Sequence, residues 1–153
     1  DLLACETIPS FIEARALARL LAEFPTASAW ISFSVRDEAH LSHGEGLAEC
    51  AAWLNDKSQV AAVGVNCTAP RYLPALIAAA RAVTSKPIVA YPNSGETYHP
   101  ARGDWSGISD AETFAAEARR WHASGARLIG GCCRTTPDHI RTIAAWGRAL
   151  PRT

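Results

Sequence analysis

Short apolar runs alternate with stretches of helical periodicity along the whole chain. Five runs predict strands: Leu2 to Cys5, Ala29 to Val35, Val60 to Asn66, Pro87 to Tyr91 and Arg127 to Ile129. Each is rich in Val, Ile, Leu or Ala and lacks the alternation of a half-exposed sheet. That pattern predicts strands buried on both faces, as in a parallel sheet covered by helices. Between the runs, Ser10 with Glu13 forms a capping box, after which Phe11, Ala14, Leu17, Ala18, Leu20 and Leu21 recur at helical spacing. Ser109 with Glu112 repeats the device ahead of Phe114, Ala115, Ala118, Trp121 and His122, and Gly125 supplies the stop. Further helices are predicted over Glu45 to Asn55 and Tyr72 to Val83. Thr135 or Thr136 caps a last helix with Pro137 and Asp138 in its first turn. Pro92 to Gly107, "PNSGETYHPARGDWSG", reads as a long polar loop, a kind of segment that tends to be functional.

Five strand-then-helix units leave two architectures, an open doubly wound sheet or part of an eight-stranded barrel. No Gly-x-Gly-x-x-Gly follows any strand, so the phosphate fingerprint of the first is absent. The strand ends carry Glu6-Thr7, Ser32 and Ser34, Asn66-Cys67, Asn93-Ser94 and Cys132-Cys133. In a barrel those ends converge on one mouth, where its sites are built.

Composition narrows the function. The chain has 153 residues, 48% of them hydrophobic, with 15 basic and 15 acidic side chains, which suits a single domain with a sizeable core. Neutral balance without a basic patch argues against nucleic acid, and the longest apolar runs are too short to cross a bilayer. Five cysteines at irregular spacing, with no signal-like leader, read as reduced thiols in a cytoplasmic protein. The absence of methionine and the abrupt apolar start "DLLAC" predict part of a longer polypeptide, with more chain on the amino-terminal side.

The stretch "RLIGGCCRTTPDH" poses a puzzle. Neighbouring side chains on a regular strand face opposite ways, so Cys132 and Cys133 serve one site only if the chain bends. Gly130 and Gly131 are expected to permit that bend through their backbone freedom. Cys67 occupies the equivalent position after another strand, and three thiolates around zinc leave a fourth position open, the mark of a catalytic site. Cys5 and Cys50 read instead as small buried hydrophobes. The five histidines read as surface or packing residues, and so do Tyr91, Tyr98 and Trp105 in preference to cation-π contact with a ligand. Neither Lys57 nor Lys86 follows a strand, which counts against a Schiff-base lyase.

The motifs "DLLACETIPSFIEA", "SFSVRD", "VGVNCTAP", "YPNSGE" and "GARLIGGCCRTTPDHI" together resemble the homocysteine S-methyltransferases, and in particular their S-methylmethionine-using branch. The resemblance covers essentially the whole chain, and its paired "VNC" and "GGCC" elements are the specific ones. It implies an α/β fold that is a partial (β/α)8 barrel, strands four to eight with their helices. Residues 1–153 would then be the carboxyl-terminal part of a homocysteine-binding barrel. It implies Cys67, Cys132 and Cys133 as ligands of Zn2+, and transfer of a methyl group from a sulfonium donor, S-methylmethionine or S-adenosylmethionine, to homocysteine, forming methionine. Glu6 falls where related enzymes place the acceptor of the homocysteine amino group. Asn66 either orients substrate or a ligand thiolate, or forms a turn. Asn93, Ser94 and Glu96 lie in a methyl-donor loop without an assigned chemistry. Five strands do not close a barrel, so the chain is expected to need a complementing amino-terminal segment or self-association. The alternative is a zinc-binding but inactive fragment.

Overall fold

A computed structural model describes residues 2–107 and 110–150. The strands β1 (Leu2–Ile8), β2 (Ser28–Phe33), β3 (Val60–Asn66), β4 (Ile88–Tyr91) and β7 (Ala126–Ile129) form one sheet in the order β1-β2-β3-β4-β7, every pair parallel. Helices α1 (Phe11–Ala22), α2 (Leu47–Asn55), α3 (Leu73–Arg81), α4 (Ala111–Ser124) and α5 (Pro137–Arg148) follow the five strands in turn. A doubly wound sheet reverses its strand order at a switch point. Here the spatial order equals the sequence order, which is the winding of a (β/α) barrel.

One face of the sheet sends Ile31, Phe33, Val63, Val65, Ile88 and Ala90 into the core beneath the helices. The helices answer with buried positions such as Ala14 and Ala18 of α1, Leu73, Leu76 and Ile77 of α3, and Phe114 and Trp121 of α4. Burying each such large side chain contributes on the order of 1.5–3 kcal/mol. Strand alternation puts Trp30, Ser32, Ala62, Gly64, Asn66, Val89 and Tyr91 on the other face, and the register pairs Ser32 with Gly64, Gly64 with Val89, and Asn66 with Tyr91. This is the face that a closed barrel turns inward. The outermost strands β1 and β7 leave Leu2, Leu3 and Leu128 about half exposed.

The five predicted strands are all present, with shifted ends. β1 runs on to Ile8 and so includes Glu6 and Thr7, whereas β2 stops at Phe33 and Val35 instead bridges Leu41. Gly46 starts α2, later than expected, and a short 3-10 turn over Pro70–Tyr72 precedes α3, because Pro74 is tolerated only in the first helical turn. The predicted cap Ser109 lies outside the described residues, and Asp110 caps α4 by accepting from the Thr113 amide at 2.8 Å. Thr136 caps α5, with the His139 ring in place of a capping carboxylate. The predicted loop Pro92 to Gly107 contains an antiparallel hairpin, β5 (Thr97–His99) and β6 (Asp104–Ser106), with Tyr98 against Trp105 at 5.1 Å. Among the described residues, no helix is long and apolar enough to cross a membrane.

Candidate metal and substrate site

The carboxyl ends of β1, β3, β4 and β7 build one rim. Its brace is Asn66, the fully buried last residue of β3. Asn66 Oδ1 accepts from the Thr7 amide at 2.8 Å, and Asn66 Nδ2 donates to Thr7 Oγ1 at 2.7 Å. Ser32 Oγ lies 2.8 Å from the same Oδ1. The two strands are thus tied at their tips, with Glu6 just before one tie point and Cys67 just after the other. Thr7 and Cys67 both adopt left-handed backbone, φ 61° and 50°, which costs a non-glycine residue on the order of 1–3 kcal/mol and persists only where surroundings over-determine it.

Cys67 Sγ stands 2.9 Å from Cys132 Sγ and 3.4 Å from Cys133 Sγ, and all three sulfurs lie within 4.8 Å of one another. None of the three is in a disulfide. The puzzle of adjacent cysteines resolves because both lie beyond the end of β7, in a turn where strand alternation no longer applies. The turn is pinned on each side. The Cys132 amide donates to Pro92 O at 2.8 Å, the Ser94 amide donates to Cys133 O at 3.0 Å, and Thr135 Oγ1 donates to Cys132 O at 2.7 Å.

The expected role of the glycines needs correction. Neither Gly130 nor Gly131 has a positive φ; the left-handed residue of this turn is Arg134, at φ 67°. Gly131 is required for closeness, since a Cβ there would fall 2.5 Å from Thr135 Oγ1, the group that holds the Cys132 carbonyl. Arg134 is fixed by a two-pronged ion pair with Glu96, at 3.0 and 3.1 Å, and Ser94 Oγ donates to the same carboxylate at 2.8 Å. The guanidinium and the serine hydroxyl hold the Glu96 carboxyl below its ordinary range.

Burial, and then the two neighbouring thiols, push the Cys67 thiol far above its ordinary pKa. Three thiolates at this spacing repel one another, and a bound cation would supply the compensating charge. The donor set fits a single metal ion, with sulfur donors from two segments, the partly buried Cys67 and Cys132 and the exposed Cys133.

The sequence model of one family, described as homocysteine S-methyltransferase, matches residues 1–146. The chain belongs to the homocysteine S-methyltransferase family. It is 55% identical over its full length to the homocysteine S-methyltransferase YbgG of Bacillus subtilis, of which it covers 49%. It is 47% identical over 94% of its length to a selenocysteine methyltransferase of Astragalus bisulcatus, covering 43% of that protein. The metallated form of the homocysteine methyltransferase MmuM from Escherichia coli superposes on 95% of the chain with a TM-score of 0.80 at 44% identity, and 45% of that protein is covered. The chain thus spans about half the length of the curated relatives it matches, as a partial barrel of the family fold.

Within this family fold, Glu6 lies exposed on the inward face, and its Oε2 accepts from the Tyr91 hydroxyl at 2.9 Å. The sequence favours packing over cation-π contact for Tyr91, yet its hydroxyl meets three polar side chains. Its hydroxyl also accepts from Trp30 Nε1 at 3.1 Å and lies 2.5 Å from Ser32 Oγ. Burial raises this phenol to about 12, so it keeps its proton at any working pH. The one sequence signal for it was position, the last residue of a strand whose neighbour ends in Asn66.

Other expectations resolve simply. Cys50 is buried in the core and Cys5 is half-buried beside α1. His139 packs edge-on against Phe114, His122 against Trp146, His40 meets Asp37, His43 meets Glu45 and His99 meets Ser106. Ser94 and Glu96 acquire a definite task, bracing the thiol turn.

Proposed function

We propose that this chain supplies the zinc-holding half of a methyltransferase that moves a methyl group from a sulfonium donor to the sulfur of homocysteine, forming methionine. The observation that carries the reading is the gathering of Cys67, Cys132 and Cys133 within 4.8 Å on the rim that also presents Glu6. The three sulfurs, at 2.9 and 3.4 Å from Cys67 to its two neighbours, lie close enough together for one ion with Zn–S bonds of about 2.3 Å to be reached by all three. The chemistry zinc supplies when bound is a substrate sulfur kept as thiolate near neutral pH, where a free thiol of pKa about 8.5 is only a few per cent ionised.

The chain's own residues place the reactant. Cys67, Cys132 and Cys133 would hold the ion through their sulfurs, within reach of the substrate sulfur. Glu6 receives the substrate ammonium through a charge-assisted hydrogen bond, and Asn66 keeps Glu6 and Cys67 in register. The sulfur then attacks the methyl carbon of the donor, the donor's own carbon–sulfur bond breaks, and a neutral thioether leaves. A sulfonium needs no proton to depart, so the step requires no general acid from the protein. Reduced thiols suit a reducing compartment such as the cytoplasm.

The half-exposed apolar residues at both outer strands favour a second component to the reading. Residues 1–153 form the carboxyl-terminal part of the barrel, and an amino-terminal half, or failing that another copy, covers β1 and β7. Alone, the chain would hold zinc without turning over. The test measures methionine formation from homocysteine with S-methylmethionine and with S-adenosylmethionine, using the chain alone and joined to an amino-terminal half-barrel. Activity in the joined protein, loss with Cys132→Ser and matching loss of bound zinc are expected. Undiminished activity of Cys132→Ser would overturn the mechanism.

A further inference from the structure

The phenol of Tyr91 donates to Glu6 when that carboxyl is charged. A phenol oxygen has one proton to give and two lone pairs to receive. Trp30 Nε1 can only donate, so it fills one lone pair. A carboxylate can only accept, so Tyr91 gives its proton to Glu6 Oε2. Ser32 Oγ donates to Asn66 Oδ1 at 2.8 Å and lies 2.5 Å from the phenol oxygen. Trp30 and Ser32 thus crowd the phenol oxygen from the sheet side, and its O–H is directed at Glu6.

Glu6 is exposed, and among the described residues its second oxygen, Oε1, has no hydrogen-bond partner. The carboxylate is therefore held by one oxygen from beneath and open at the other. We propose that Tyr91, oriented by Trp30 and Ser32, is a positioning residue that aims the free oxygen of Glu6 at the ammonium group of the amino-acid substrate. The inference rests on the assignment of Glu6 as ammonium acceptor. It adds that selection for an α-amino group is built on β2 and β4 as well as on β1, through a phenol that touches no substrate atom.

A proton that is retained throughout serves this role. Burial keeps the Tyr91 phenol neutral, so the group offers a fixed donor instead of a second negative charge beside Glu6. Tyr91→Phe removes the hydroxyl and keeps the ring, which leaves the strand packing in place.

The experiment uses the zinc-loaded joined protein and compares homocysteine with its desamino analogue, the same chain carrying thiol and carboxylate without the amino group. Calorimetric Kd values are measured alongside KM and kcat. A hydrogen bond to a charged group corresponds to about 10- to 100-fold in affinity. Tyr91→Phe is expected to weaken homocysteine in Kd and KM by about that factor, with kcat within about threefold, and to change desamino affinity by less than about twofold. Trp30→Phe, which removes the indole donor to the phenol oxygen, should give a smaller loss in the same direction. Equal weakening of both ligands by Tyr91→Phe would mean general disturbance and would overturn the proposal, as would unchanged affinity for both. Glu6→Gln separates the two levels. If that variant loses the preference for homocysteine while Tyr91→Phe keeps it, the Tyr91 role fails and the Glu6 assignment stands. If Glu6→Gln keeps the preference, both fall.

Discussion

Replacing Asn66 with alanine tests whether the tip-to-tip brace holds the site together. The substitution removes the acceptor of the Thr7 amide, the donor to Thr7 Oγ1 and a neighbour of Ser32 Oγ. These losses are unequal. Thr7 lies at the exposed end of β1, so its hydroxyl can turn to water, and Ser32 keeps Tyr91 as a partner. The amide of Thr7 is the group left without compensation, at about 1–3 kcal/mol. Lost packing of a fully buried side chain brings the total to roughly 2–4 kcal/mol, a large share of an ordinary domain's stability. Part of this returns if Thr7 escapes its left-handed conformation, but that relaxation swings Glu6 out of place. Urea unfolding of the joined protein should show the stability loss, and calorimetry should show homocysteine binding about tenfold weaker or worse, in line with one charge-assisted contact misplaced. Stability within about 0.5 kcal/mol of the parent together with unchanged homocysteine binding would refute the reasoning.

Two further substitutions probe the scaffold and the turn. Gly64 lies so close to β4 that a Cβ would fall 1.8 Å from Val89 O, and backbone on both sides of that contact cannot yield without parting β3 from β4. Gly64→Ala should therefore cost about 3 kcal/mol or more in urea unfolding, or leave no folded protein; a loss below about 1 kcal/mol would show that the strands separate freely. Arg134→Ala removes the clamp on Glu96 while sparing the sulfurs, and the pair is half exposed on the arginine side. Global stability should change by less than about 1 kcal/mol, whereas zinc affinity in a chelator competition should fall about 10-fold or more, as for other groups that orient metal ligands. Unchanged affinity would show that the turn holds its shape without the clamp.

The strands were legible because burial on both faces writes an uninterrupted apolar signature, seen in Val60 to Val65, and the cysteines were legible because their motifs are specific. The bend was misattributed because glycine suggests φ freedom, whereas the left-handed residues are Thr7, Cys67 and Arg134, held there by partners distant in sequence. The hydrogen-bonding role of Tyr91 was illegible for a similar reason. Its partners Trp30, Ser32 and Glu6 lie 59 to 85 positions away, beyond any local pattern. The hairpin Thr97–His99 with Asp104–Ser106 was hidden by short strands and a Pro- and Gly-containing turn. At α4, Ser109 and Asp110 are adjacent residues of near-equal capping preference, so propensity alone does not choose between them.

The sequential order of the sheet also has a temporal meaning. Each strand of the five-stranded sheet pairs with the sheet strand synthesised before it, so the sheet can grow one unit at a time from β1 toward β7 as the chain emerges, with little loop entropy opposing non-local closure. The sulfurs obey a different clock. Cys67 follows β3 and the other two follow β7, so the three meet only when the last strand has docked. On the proposed zinc reading, metal uptake would be a receipt for a finished sheet, and a chain stalled before β7 would lack two of the three thiols.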